Sequence, residues 1–381
     1  SIASEEVKDS AAEAVQRSLG AVLRRLEEVL NVASLSPPRS PSYASWAGTP
    51  VNPATPVTPM SDALSEDDKR EGCALVAGLL SVDAPAQLLG CLHLLCFESR
   101  KDAMRLFSAL LRSALPLGAD AILVDYLRSH PRIFELLLEG SGHTEVFTHC
   151  AHMIRACTRY PQLVEALLRE GAARRLMDLA SHQSFDISSE AFSSLRELML
   201  AQRPVSAQYM TENFAEFFAQ CHTLLQPDMD YVARRQALRL LGDMLLDRTF
   251  MGSMLAYVSN EQFLQIHMNL LRDSSKTIQL DAFHVFKIFV ANPQKPARVL
   301  AILCKNRERL LKLLASLSGK SDRNASFEED LRTVITVLKA LEAPAPRRPP
   351  VAAAAAGPAE GLRSPALDGS GEVGLNAIAA A

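Results

Sequence analysis

The stretch YVARRQALRLLGDMLLD, Tyr231–Asp247, decides the fold. Its Ala237, Leu238, Leu241 and Met244 stand at relative positions 0, +1, +4 and +7, which is one face of a helix. Arg235, Arg239 and Asp243 fall on the other face, so the segment needs a neighbour on one side and leaves charge on the other. The same small–large–large–large order recurs along the chain. Ala103, Met104, Phe107 and Leu110 carry it, then Cys150, Ala151, Ile154 and Cys157, then Ala191, Phe192, Leu195 and Leu198, and last Ala282, Phe283, Phe286 and Phe289. The anchors follow one another at 47, 41, 46 and 45 residues.

After each stripe comes a turn and a second apolar helix, as in LVEALLREGAARRLMDLA (Leu163–Ala180) and ARVLAILCKNRERLLKLLASL (Ala297–Leu317). Asn292-Pro293 closes one helix and Arg203-Pro204 separates two others. An interval of this size holding two or three helices is that of HEAT and armadillo repeats. No unit buries its stripe alone, so units must stack. The expected fold is all-α, a right-handed α-solenoid of HEAT/armadillo-like repeats with five recognisable copies and almost no strand.

The repeats occupy residues 63–342. Residues 1–33 carry an amphipathic helix, AVQRSLGAVLRRLEEVL, expected to cap the array. Residues 34–62 hold seven prolines, the only tryptophan (Trp46) and little aliphatic core, so disorder is expected there. Ser36, Ser40, Thr49, Thr55 and Thr58 each precede a proline and are candidate acceptors for proline-directed phosphorylation. Residues 343–381 form a second low-complexity tail.

Of 381 residues, 48% are hydrophobic and only 6% aromatic, a Leu- and Ala-rich mix that favours helix. Forty basic residues against forty-three acidic ones give no global field for nucleic acid or an anionic membrane. Seven cysteines scattered among apolar residues read as reduced core thiols. No apolar run approaches the roughly 18 residues of a membrane span, no signal-peptide pattern opens the chain, and the expected compartment is the cytoplasm. The chain opens on Ser1 rather than Met, which leaves room for an upstream segment.

His149, Cys150, His152 and Cys157 crowd together, yet Cys150 and Cys157 belong to the stripe while His152 lies about 200° round the helix from Cys150. Zinc needs convergent ligands, so no metal site is expected. Asp281 and His284 have no nucleophile beside them, and no phosphate loop, His-Glu-x-x-His, Gly-x-Ser-x-Gly or calcium loop occurs. The chain is therefore not read as an enzyme, and no cofactor is expected. Lys305, Arg309 and Lys312 follow i, i+4, i+7 on a helix whose other side is Leu303, Leu310, Leu313 and Leu314, while Arg234 and Arg235 open the helix quoted first. Such cations are either a solvated face or a groove that meets carboxylates.

FDISSEAF (Phe185–Phe192), YVARRQALRLLGDMLLDR (Tyr231–Arg248), MNLLRD (Met268–Asp273) and, most specifically, IQLDAFHVFKIFVANP (Ile278–Pro293) resemble the calcium-binding protein 39 family. The resemblance covers about Leu92 to Leu341, with LHLLCFESRKDAMRLFSALLR as a weaker upstream match. It implies a curved, non-catalytic helical-repeat scaffold that docks pseudokinases and germinal-centre-type kinases and holds the kinase fold in its active shape. It also implies a monomer within a hetero-complex, of the liver kinase B type or within a nuclear-Dbf2-related kinase network. By position it implies a concave kinase-facing surface at Phe185, Arg235 and Arg248, and a pocket for a Trp-Glu-Phe peptide tail at Met268, Lys305 and Arg309. Two positions depart from the family: Met251 replaces a phenylalanine, with Phe250 one place early, and Gln265 replaces a frequent lysine. The alternative is an armadillo-type cargo- or nucleic-acid-binding solenoid without kinase activation. That reading lacks the Trp and Asn ladders and the basic charge it would need.

Overall fold

A computed structural model describes residues 14–25, 28, 66–117, 119–317 and 325–342; the five Ser/Thr-Pro positions and Trp46 lie outside them. Among the described residues there is helix and turn but no strand. Residues 14–25 form α1. There follow α2 (Glu66–Ser81), α3 (Ala84–Gly90) and α4 (Phe97–Leu117), then α5 (Asp120–Ser129), α6 (Arg132–Gly140) and α7 (Thr144–Cys157). Next come α8 (Pro161–Arg169), α9 (Ala172–Ala180) and α10 (Phe185–Ala201), then α11 (Arg203–Glu212), α12 (Phe214–Thr223) and α13 (Tyr231–Leu245). The last are α14 (Met251–Val258), α15 (Glu261–Leu270) and α16 (Lys276–Ala291), then α17 (Ala297–Ala315) and α18 (Ala325–Ala340).

Helices of like position stack on one another. Third helices run α4–α7–α10–α13–α16–α18, and first helices run α2–α5–α8–α11–α14. The second helices pair as α3–α6, α9–α12 and α15–α17. This unit-on-unit stacking is the expected solenoid, with three helices per complete unit.

The stripes are the core of the third-helix stack. Every anchor and every large residue quoted for them is buried except Met104, which is half-buried. Phe283, Phe286 and Phe289 are wholly inaccessible, each contributing about 1.5–3 kcal/mol of burial. A sixth member, α18, joins the stack through Phe327, Leu331, Val334 and Leu338, all buried. Its apolar residues fall at 0, +4, +7 and +11 without a small anchor, so it does not read as a sixth copy.

Leu163–Ala180, read as a single second helix, is two. Gly171 at φ 82° breaks it between α8 and α9, a left-handed conformation that glycine adopts without a Cβ clash. Asn213 makes the equivalent break between α11 and α12. Pro204 lies within the first turn of α11, where its missing N–H costs nothing. Leu19 and Leu23 of α1 are buried, and Arg25 pairs with Glu71 of α2.

Ion pairs cross every step of the third-helix stack. Arg100 reaches Glu145 at 3.2 Å, Arg155 reaches Glu190 at 2.6 Å and Arg235 reaches Asp281 at 3.2 Å, while Arg196 pairs with Asp243 and Lys287 with Asp330. Arg100–Glu145 and Arg235–Asp281 join start to start and Arg196–Asp243 joins end to end, whereas Arg155 and Lys287, late in their helices, meet Glu190 and Asp330 in the first half of the next.

Candidate partner-binding surface

The stack leaves a small set of large apolar side chains outside the core. Phe185, the first residue of α10, is 60% exposed, and Tyr231, the first residue of α13, is 43% exposed. At the other end of α13, Leu246, Met251 and Leu255 are exposed as well. Met251 and Leu255 stand at i and i+4 on α14 and so share its outward face. Phe250, one place before Met251, is buried in the core and supplies nothing to this surface. Arg248 lies in the 3-10 turn that joins α13 to α14 and is exposed.

Arg235 is held rather than free. Its Nε donates to Asp281 Oδ2 at 3.2 Å, leaving the terminal nitrogens outward, and Asp281 is largely covered. Burial pushes the Asp281 carboxyl up from its usual range, while the guanidinium of Arg235 opposes that shift. Phe185 and Arg235 are near the starts of neighbouring third helices. Arg248 is 13 residues beyond Arg235, about 20 Å along the helix at 1.5 Å per residue. Phe185 and Arg235 therefore lie towards the starts of the third helices, and Arg248 and Met251 beyond the other end of α13.

Gln265 and Met268 lie on α15, Lys305 and Arg309 on α17, and these helices pack together. Gln265, Lys305, Arg309 and Lys312 are exposed, and Met268 is half-buried against the core. Leu303, Leu310 and Leu314 are buried on the other side of α17, with Leu313 partly so. Lys276 is the first residue of α16 and is exposed.

Cys150 and Cys157 are core residues, burial pushing the Cys150 thiol up to about 12. His152 turns instead to Arg155, whose terminal nitrogen is 2.8 Å from its Nδ1. The four residues weighed for zinc do not converge.

One polar cluster has no counterpart in the sequence reading. His222 Nε2 is 2.9 Å from the Tyr257 hydroxyl, which is 2.7 Å from His267 Nε2. All three are buried, and Phe218, Phe263 and Phe289 surround them. A hydroxyl has one proton, so one imidazole must donate to it and the other accept from it. His267 Nδ1 is buried without a partner, and an unpaired lone pair there costs less than an unpaired N–H. Thus His267 donates to Tyr257, and Tyr257 donates to His222. Burial lowers the His222 pKa to about 4 and that of His267 to about 3, and raises that of Tyr257. These residues come from α12, α14 and α15, so sequence spacing does not link them.

Stacked three-helix units with a buried stripe and exposed side chains along the stack define a helical-repeat protein of the armadillo type. The family model described as Mo25-like matches residues 57–342, and the chain belongs to that family. It is 37% identical over 257 residues to a Mo25-like protein of Schizosaccharomyces pombe (strain 972 / ATCC 24843), covering 68% of this chain and 77% of that one. It is 34% identical over 259 residues to the calcium-binding protein 39-like protein of Homo sapiens, covering 68% and 76%. A computationally designed armadillo repeat protein matches 66% of this chain and 98% of its own at 15% identity and a TM-score of 0.44.

Proposed function

We propose that this chain is a non-catalytic scaffold that docks a protein kinase or pseudokinase of the germinal-centre type and favours its active conformation. It acts in the cytoplasm as a monomer within a hetero-complex, of the liver kinase B type or within a nuclear-Dbf2-related kinase network. Membership of the Mo25-like family supports the scaffold reading. The observation that carries the docking surface is the exposure of Phe185 and Met251 on a stack whose other quoted aromatic and aliphatic stripe residues are covered.

Activation by such a surface requires only differential affinity. A stack that binds the active arrangement of a kinase more tightly than the inactive one shifts the population toward activity without touching the substrate. Repeats fixed by a continuous core and by Arg235–Asp281-type pairs present their side chains already ordered, which lowers the entropic cost of docking. Lys305 and Arg309 then offer cations to the carboxylates of a Trp-Glu-Phe tail, with Met268 as an adaptable apolar wall. Phosphorylation at Ser36, Ser40, Thr49, Thr55 or Thr58 would add negative charge to the chain between α1 and α2.

The test is phosphoryl transfer by a purified germinal-centre kinase domain titrated with the full chain. The expected result is a saturable rise in rate, lost with Phe185→Ala, at a 60% exposed position, while the melting temperature holds. Saturable binding with no change in rate reduces the chain to a passive tether, and absence of binding removes the kinase reading.

A further inference from the structure

The guanidinium of Arg235 on α13 is held by a side chain of the next unit. Asp281 lies on α16, 46 residues further along, and α16 packs on α13. The two partners differ in exposure: the Asp281 side chain is 17% exposed and that of Arg235 39%. The carboxylate is thus anchored in the joint between the helices, and the guanidinium reaches from it toward solvent. A guanidinium is a rigid planar fork of five N–H donors. Nε donates to Asp281 Oδ2 at 3.2 Å, and among the described residues the terminal nitrogens of Arg235 make no hydrogen bond. Four donors therefore remain for a partner. Arg239, one turn along α13, also lies near this carboxylate: burial pushes its guanidinium down from the usual range, and Asp281 opposes that shift.

An arginine loose at a surface samples many rotamers, and docking must freeze them. One already fastened at Nε has lost that freedom during folding, and its fork stands in a set plane before the partner arrives. We infer that Asp281 is a positioning residue for partner docking, acting through Arg235 by ordering the fork whose remaining donors meet carboxylate or carbonyl oxygens of the kinase. The inference rests on the docking of a kinase at Arg235. Because the anchor belongs to the following unit, the direction of Arg235 depends on how α16 sits against α13. Docking then reads the joint between two units and not α13 alone.

Two measurements on the full chain test this. In proton–nitrogen correlation spectra of the free chain, the Arg235 Nε–H signal is identified by its loss in Arg235→Lys. It should be sharp and exchange slowly with water, and Asp281→Asn should broaden it or speed its exchange. In titrations with a purified germinal-centre kinase domain, Asp281→Asn should weaken binding about two- to tenfold, the range for freeing one long side chain. Arg235→Lys keeps the charge but has no fork to aim, so in that background Asp281→Asn should cost less than about twofold more. Circular dichroism checks that each variant folds. Asp281→Glu, which keeps the charge and moves it outward by one methylene, stands in if the asparagine variant does not fold, and should lose affinity likewise. A purely structural role, through Arg239 for instance, would weaken both backgrounds equally, and that result overturns the inference. So does an Arg235 signal that Asp281→Asn leaves unchanged. Kinase binding that survives Asp281→Asn intact overturns this inference alone, whereas no binding by the parent chain overturns the docking reading and this inference with it.

Discussion

Acidification from pH 7.5 to 5.5 should destabilise this protein through the His222–Tyr257–His267 cluster, by an amount the geometry allows us to work out. In the unfolded chain both imidazoles titrate near 6.5. In the folded protein burial depresses them to about 4 and about 3. A proton on His222 would direct two N–H donors at one hydroxyl oxygen and strand the hydroxyl proton, and a proton on His267 would put an N–H with no acceptor at its buried Nδ1, so the fold opposes both. The unfolded chain therefore binds more protons than the folded one below about pH 6.5, and stability falls as pH drops through that value. The contribution is complete above it and goes on declining until the folded values are reached. At pH 5.5 each imidazole has lost about 1.4 kcal/mol, so the pair has lost about 3 kcal/mol. Urea unfolding followed by circular dichroism at the two pH values measures this. The comparison is a variant with the whole network made apolar, His222→Phe/Tyr257→Phe/His267→Leu, which leaves no stranded partner. Its acid sensitivity should be smaller than the parent's by about that amount. Identical losses in the two proteins would refute the buried, neutral network.

Tyr257→Phe alone leaves both imidazoles without their partner and should cost about 1–3 kcal/mol at pH 7.5, read by the same unfolding measurement. Phe286→Ala, at a wholly buried stripe position, should cost about 3–5 kcal/mol by the same assay. Lys305→Glu should abolish anisotropy-detected binding of a peptide ending in Trp-Glu-Phe, since reversing one partner of a charge pair that docking desolvates costs about 2–5 kcal/mol. Lys276→Glu should leave that peptide's affinity unchanged and raise the melting temperature slightly, because a carboxylate at the start of α16 opposes the helix dipole less than an ammonium does.

The stripe of Tyr231–Asp247 was enough to read the stacking helix, because the same four positions that repeat along the chain are the ones the stack buries. The triple-helix unit was harder to see. Its first two helices are about ten residues each, and α8 and α9 are separated by only Glu170 and Gly171, so their apolar residues run together as one segment. The last stripe escaped because α18 carries Leu331 and no small anchor of the kind that opens the others. At the candidate surface, residue type and spacing place Lys305, Arg309 and Lys312 on one exposed face, as found. Whether Arg235 is free or clamped depends on Asp281, 46 residues away, and no local pattern encodes that pairing. The same holds for the histidine–tyrosine cluster, whose members meet only once α12, α14 and α15 have packed.

The ion pairs between third helices all share one polarity. Arg100, Arg155, Arg196, Arg235 and Lys287 stand on the earlier helix, and Glu145, Glu190, Asp243, Asp281 and Asp330 on the later one. Each unit thus shows an acid to its predecessor and a base to its successor, like a plug and socket of fixed sense. A unit inverted in the row would bring like charges together, while a unit duplicated or excised whole leaves every remaining joint complementary. Removal of residues 161–201, for example, would bring the forward-facing Arg155 of α7 toward the backward-facing Asp243 of α13. Such an array can lengthen or shorten by whole units and still know its own direction.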